Sequence, residues 1–186
     1  METMTFTSSR EFRAWLAKNH GRSEGIWLRI CKKDAGMATV TYAEALDQAL
    51  CYGWIDGQKQ PFDKQSWLQK FTPRRPQSGW SRNNTEHAER LIKSGEMTAA
   101  GLKAVQAAKS DGRWQTAYDS FSSATVPDDF LKELSRNKKA KAFFATLNKT
   151  NIYSIVYRLQ TANKPETRAK RMQAIIAKLS RGEKFH

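Results

Sequence analysis

The sequence predicts an α+β fold: a small antiparallel sheet of about three strands with helices on one side, followed by an all-helical C-terminal region. Three observations point to it. Strand-like alternation of apolar and polar residues is confined to positions 25–71. The last two of these runs are separated by too few residues for a crossover helix, which favours a hairpin over a parallel sheet. From residue 83 onward the apolar spacing is helical, and the charge turns strongly basic near the end.

Ser8-Ser9-Arg10-Glu11 reads as a helix start, a serine cap with an acid in the first turn. Phe12, Trp15 and Leu16 then recur at helical spacing until Asn19-His20-Gly21 closes the run. Residues 25–33 read as a strand with Ile26, Leu28 and Ile30 on one face and Trp27, Arg29 and Cys31 on the other. Both faces are partly apolar, so this strand is expected inside the sheet. Thr41, with Glu44 three residues on, predicts a capped helix over 41–52 whose stripe of Ala45, Leu46, Ala49 and Leu50 ends at Gly53. Residues 54–58 and 66–71 follow as the two strands of a hairpin, with Pro61 in the turn.

Asn83, with Glu86 three on, suggests a second capping box for a helix that carries Ala88, Leu91 and Ile92 and stops at Gly95. Thr98 is expected to cap the next helix, which runs through Ala108 and ends before Asp111-Gly112. Residues 115–127, holding Ser120, Ser122, Ser123, Thr125 and Pro127, read as a linker. They divide an α+β domain over 1–114 from a helical, basic region over 128–186. Three helical segments are expected there: 128–135, 138–160 with a break near Asn148, and 165–180. In the last, Pro165 suits a first helical position and Gly182 ends the run. Ala169, Met172, Ile175, Ile176 and Leu179 share one arc, while Lys170, Arg171, Lys178 and Arg181 form a basic stripe on the other side.

The 32 Lys and Arg against 18 Asp and Glu leave a net charge of +14, unevenly placed. Residues 131–186 hold 14 basic and 3 acidic side chains, and residues 1–130 hold 18 and 15. That asymmetry points to nucleic acid or another polyanion, or to an anionic membrane surface, met through Lys170, Arg171, Lys178 and Arg181. A basic face that only aids solubility is the alternative. Tyr153 and Tyr157, four apart, offer either stacking surfaces or a core pair.

A second candidate lies earlier. Arg74 and Arg75 can present guanidinium groups to a phosphate or carboxylate, with Ser81, Asn83 and Asn84 beside a helix start whose backbone N–H groups attract anions. Trp54, Trp67 and Trp80 either line an apolar pocket around such a small anionic ligand or fill the sheet core. Asp56 is an ion-pair partner for an arginine, or the acid of an unrecognised enzyme.

Catalysis is not expected. His20, His87 and His186 lie apart, Cys31 and Cys51 have no metal-ligand spacing, and no phosphate-cradling glycine loop occurs, so neither a metal nor another cofactor is called for. The cysteines read as reduced core thiols, suited to a cytoplasmic protein. The first residues carry no signal-peptide pattern, and no run approaches the roughly 20 apolar residues of a membrane span.

The stretch Tyr42-Ala43-Glu44-Ala45-Leu46-Asp47-Gln48-Ala49-Leu50-Cys51-Tyr52-Gly53-Trp54-Ile55-Asp56-Gly57, then Phe71-Thr72-Pro73-Arg74-Arg75 and Trp80-Ser81-Arg82-Asn83-Asn84, resembles the YdeI/OmpD-associated family. Lys164-Pro165-Glu166-Thr167-Arg168-Ala169-Lys170-Arg171 resembles that family's closing helix, so the likeness extends over roughly residues 10–182. The resemblance implies a role in bacteriocin protection and envelope stress tolerance in bacteria, and a YjbR/CyaY-like α+β fold for the N-terminal part. It brings no catalytic residues with it. Gln115 to Pro127 departs most from the family pattern.

Overall fold

In the computed structural model, which describes residues 1–162 and 164–185, the chain runs β1 (Thr3–Met4), α1 (Ser9–Asn19), β2 (Ile26–Cys31), α2 (Tyr42–Cys51), β3 (Trp54–Pro61) and β4 (Ser66–Pro73). The helices α3 (Arg82–Lys93), α4 (Ala99–Ser110), α5 (Asp128–Ser135), α6 (Lys138–Phe144), α7 (Lys149–Gln160) and α8 (Pro165–Ser180) follow. The fold is α+β. Two compact units form: the first from Met1–Ser78 and Asn84–Asp111, the second from Gly79–Asn83 and Gly112 onward.

In the first unit the strand order is β1-β2-β4-β3. The pairing of β2 with β4 and of β4 with β3 is antiparallel, and β2 is internal as its two apolar faces suggest. The expected three strands become four, because β1 pairs parallel with β2 through Thr3 opposite Trp27 and Met4 opposite Leu28. Two residues are too few to show an alternation, so only pairing reveals β1. Pro61 ends β3 instead of sitting in the turn. As a last strand residue it gives up no N–H that the ladder needs.

Ile26, Leu28 and Ile30 are fully buried against α1, which contributes Phe12 and Leu16, and against Ala45 and Ala49 of α2. Across the sheet Ile26 faces Phe71. Trp54 closes this core: it is 1% exposed, meets Trp15 edge-on at 5.7 Å and donates its indole N–H to the His20 carbonyl at 3.1 Å. The Thr41 side chain accepts from the Glu44 N–H and the Glu44 carboxylate accepts from the Thr41 N–H, giving α2 the capping box read from sequence.

Two helix starts differ from expectation. Helix α3 begins at Arg82, so Asn83 lies in its first turn instead of capping it. The Arg82 N–H donates to the Tyr118 carbonyl at 2.8 Å, and Ser81 bridges to Tyr118. A partner 36 positions away thus satisfies the helix start. Thr98 precedes α4 in extended geometry, yet its hydroxyl makes no cap bond and donates to the Cys51 carbonyl at 2.6 Å. Helix α4 also runs two residues past Ala108, to Ser110.

In the second unit α5 spans the predicted 128–135, α8 the predicted 165–180, and Asn148 breaks the 138–160 segment by capping α7. Phe130, Leu134, Ala140, Ile155, Leu159, Ile175 and Leu179 form its core. Of the predicted α8 arc, Ile175 and Leu179 are buried, Met172 and Ile176 are half-buried and Ala169 is exposed.

Candidate functional site

Helices α7 and α8 of the second unit line two hollows that share Arg158 and Arg171. The larger, about 540 Å³, is bordered by Tyr153, Ser154, Tyr157 and Thr161. These residues recur at positions i, i+1, i+4 and i+8 of one helix and its cap, which puts them on one face. The smaller, about 350 Å³, is bordered by Lys178, Arg181 and Phe185. Arg171, Lys178 and Arg181 of the predicted basic stripe therefore meet at one groove. Lys170 is exposed and borders neither hollow.

The backbone holds these cations in place. Arg171 donates to the Arg158 carbonyl at 2.8 Å and to the Thr161 hydroxyl at 3.2 Å, and Arg158 donates to the Ser154 carbonyl at 2.9 Å. Carbonyl partners orient a guanidinium without cancelling its charge. Arg158 and Lys178 each stand 4.6 Å from the Phe185 ring centre, in cation–π contact. Arg181 pairs with Glu183 at 2.7 Å, and that hydrogen bond holds the Glu183 carboxyl below its ordinary range. The Tyr153 phenol is pushed up, first by burial and then by Tyr157 and Asp119, so it stays protonated. Arg158 and Phe185 were not singled out from sequence. Arg158 follows Tyr157 directly, and that adjacency was the available signal.

The earlier candidate cluster is distributed between the units. Trp54, Asp56, Arg74, Arg75 and Asn84 belong to the first, and Trp80, Ser81 and Asn83 to the second. Trp54 is consumed by the sheet core. Trp80, 2% exposed, stacks at a tilt on Trp114 at 4.9 Å. Asn84 is buried and Asn83 exposed, while Arg74 is half-buried and Arg75 exposed. Asp56 accepts from the Tyr42 hydroxyl at 2.8 Å. That contact ties β3 to the start of α2.

The histidines also have local partners. A His20 ring nitrogen lies 3.0 Å from the Leu16 carbonyl, and His87 shares the Asp47 carboxylate with Arg90. His186 lies outside the described residues. Burial pushes the Cys51 thiol up, which disfavours a thiolate. Among the described residues no group of three or more His, Cys, Asp or Glu side chains is placed to hold a metal ion. Likewise, no helix among them is long and apolar enough to cross a membrane.

A mixed sheet covered by helices, followed in the chain by a basic helical unit with an aromatic and cationic groove, defines an α+β protein with a basic second unit. The chain belongs to the family described as Domain of unknown function (DUF8412), whose model matches residues 4–104. Residues 123–182 match the model described as Bacteriocin-protection, YdeI or OmpD-Associated. The YdeI/OmpD-associated likeness is thus located in α5 to α8, and the N-terminal part belongs with DUF8412 instead of a YjbR/CyaY-like group. No curated protein and no solved structure matches the chain.

Proposed function

We propose that this protein is a non-catalytic, cytoplasmic binding protein of the bacteriocin-protection kind, and that it holds a polyanion in the groove between α7 and α8. One observation carries the reading: Arg158, Arg171, Lys178 and Arg181 border adjoining hollows in the part of the chain with 14 basic and 3 acidic residues. Cations so placed attract phosphate or sulfate groups, and release of counterions from the polymer drives binding. A bilayer suits the surface less well, because Ile175 and Leu179, the fully buried apolar residues of α8, are already used in the unit's core.

Fluorescence anisotropy of labelled duplex DNA, heparin and anionic vesicles across a salt series tests it. The expected result is binding to the soluble polymers, with log K for DNA falling by about 0.9 per phosphate contact for each unit of log salt. The double variant Lys178→Gln, Arg181→Gln should remove about two such contacts, lowering the slope by about 1.8. Vesicle binding alone, or no binding near 0.15 M salt, would overturn the proposal.

A further inference from the structure

The larger hollow does something that a cationic patch alone does not require: it places tyrosine rings beside the guanidinium groups. We infer that the occupant of the groove is a single-stranded polynucleotide, with an unpaired base lodged against Tyr157 and the flanking phosphates held by Arg158, Arg171 and Lys178. The inference rests on the polyanion reading above and narrows it.

Tyr157 is 39% exposed although its ring packs on two others. It meets Tyr118 edge-on at 4.9 Å and Tyr153 at 6.1 Å. Tyr153 is in turn packed edge-on against Phe121 at 5.2 Å, and its hydroxyl donates to the Asp119 carbonyl at 3.3 Å. The exposed ring is therefore pre-oriented, so a stacking partner meets a surface that loses little freedom on binding. Phe185 serves differently. Arg158 and Lys178 already lie against it, so it reads as a support for cations, not as a stacking platform. Thr161, whose hydroxyl donates to the Tyr157 carbonyl and accepts from Arg171, ties the ring's helix to a guanidinium that borders both hollows.

The polymer that matches alternates a planar aromatic group with an anion. A polysaccharide such as heparin has the anions without a π-face, and lipid headgroups lack the planar group. A duplex has both, but its bases are stacked inside, and extruding one costs a few kcal/mol. A single strand offers an unstacked base at no such cost, and stacking on an aromatic side chain is worth roughly 1–3 kcal/mol per base. Along α7 the hollow extends from Tyr153 to Thr161, about 12 Å at the helical rise of 1.5 Å per residue.

The test compares labelled oligothymidylate and oligouridylate with an abasic deoxyribose-phosphate chain of the same length, a duplex and heparin, all on the full-length protein. The single strands are expected to bind roughly 5- to 150-fold more tightly than the abasic chain, the range that one stacked base supplies. Tyr157→Leu should remove that advantage, Tyr157→Phe should keep it, and neither should change heparin affinity. Equal affinity for abasic and base-bearing chains would overturn base lodging while leaving polyanion binding in place. Failure of every polymer, heparin included, would overturn both. Preference for uridylate over thymidylate, or the reverse, would identify RNA or DNA as the source of the strand.

Discussion

At the scale of single residues, Thr41 and its neighbours carry effects that a titration can read. The Thr41 hydroxyl, and after it the Thr41 backbone N–H, lowers the Glu44 carboxyl below its ordinary value of 4.5. A depressed folded value means that this contribution to stability is present above the unfolded value and is lost as pH falls through the folded one. Thr41→Ala should cost about 1 kcal/mol in urea unfolding at neutral pH, and less once the carboxyl is protonated. Tyr42 has the opposite sign. Burial first, then Asp56, raises its phenol well above the ordinary 10.0. Its contribution is therefore complete below about pH 10 and is lost as pH rises toward the folded value. In a phenolate absorbance titration of the folded protein, Tyr42→Phe should remove a phenol that ionises after the ordinary ones.

At the scale of elements, the crossing of α2 and α4 rests on two glycines. A Cβ on Gly101 would press into the backbone carbonyls of Cys51 and Leu50 and the sulfur of Met97. Gly53 takes a positive φ of 72°, and a Cβ there would sit 3.0 Å from the Ala100 carbonyl. Backbone cannot step aside as a flexible side chain can. Gly101→Ala should therefore destabilise the protein by about 1–3 kcal/mol despite the better helix propensity of alanine. Gly21→Ala, with open space around it and no positive φ, should stay within about 0.5 kcal/mol. Thermal melting of the two variants checks both. Sequence pattern placed α2 and its cap correctly because both capping partners lie within four residues. It could not place β1, the start of α3 or the role of Thr98, because each depends on a residue far along the chain.

At the scale of the whole molecule, under the polyanion binding proposed above, the charge asymmetry sets the sign of the partner and the groove sets which charges count. Lys138, Lys139 and Lys141 on α6 are exposed and border neither hollow. Charges acting only through the screened field lose their effect beyond a Debye length of about 8 Å at 0.15 M salt. Replacing all three with alanine should weaken polyanion binding at low salt, yet change it less than about 3-fold near 0.15 M. Anisotropy at two salt concentrations separates this from the effect of Lys178→Gln with Arg181→Gln.

Sequence alone determined the class of fold, the ends of α5 and α8, the cap of α2 and the concentration of positive charge toward the C-terminus. These follow from periodicity, local hydrogen bonding and composition, all of which act over a few residues or none in particular. Tertiary structure decided the rest. It sent Trp54 into the sheet core, gave Asp56 a tyrosine partner and divided the predicted anion cluster between two units. It also joined Arg158 and the tyrosines of α7 to the basic stripe of α8. Convergence of side chains from separate helices depends on how those helices cross, and that crossing is fixed by packing around Ile155, Leu159, Ile175 and Leu179, not by spacing along the chain.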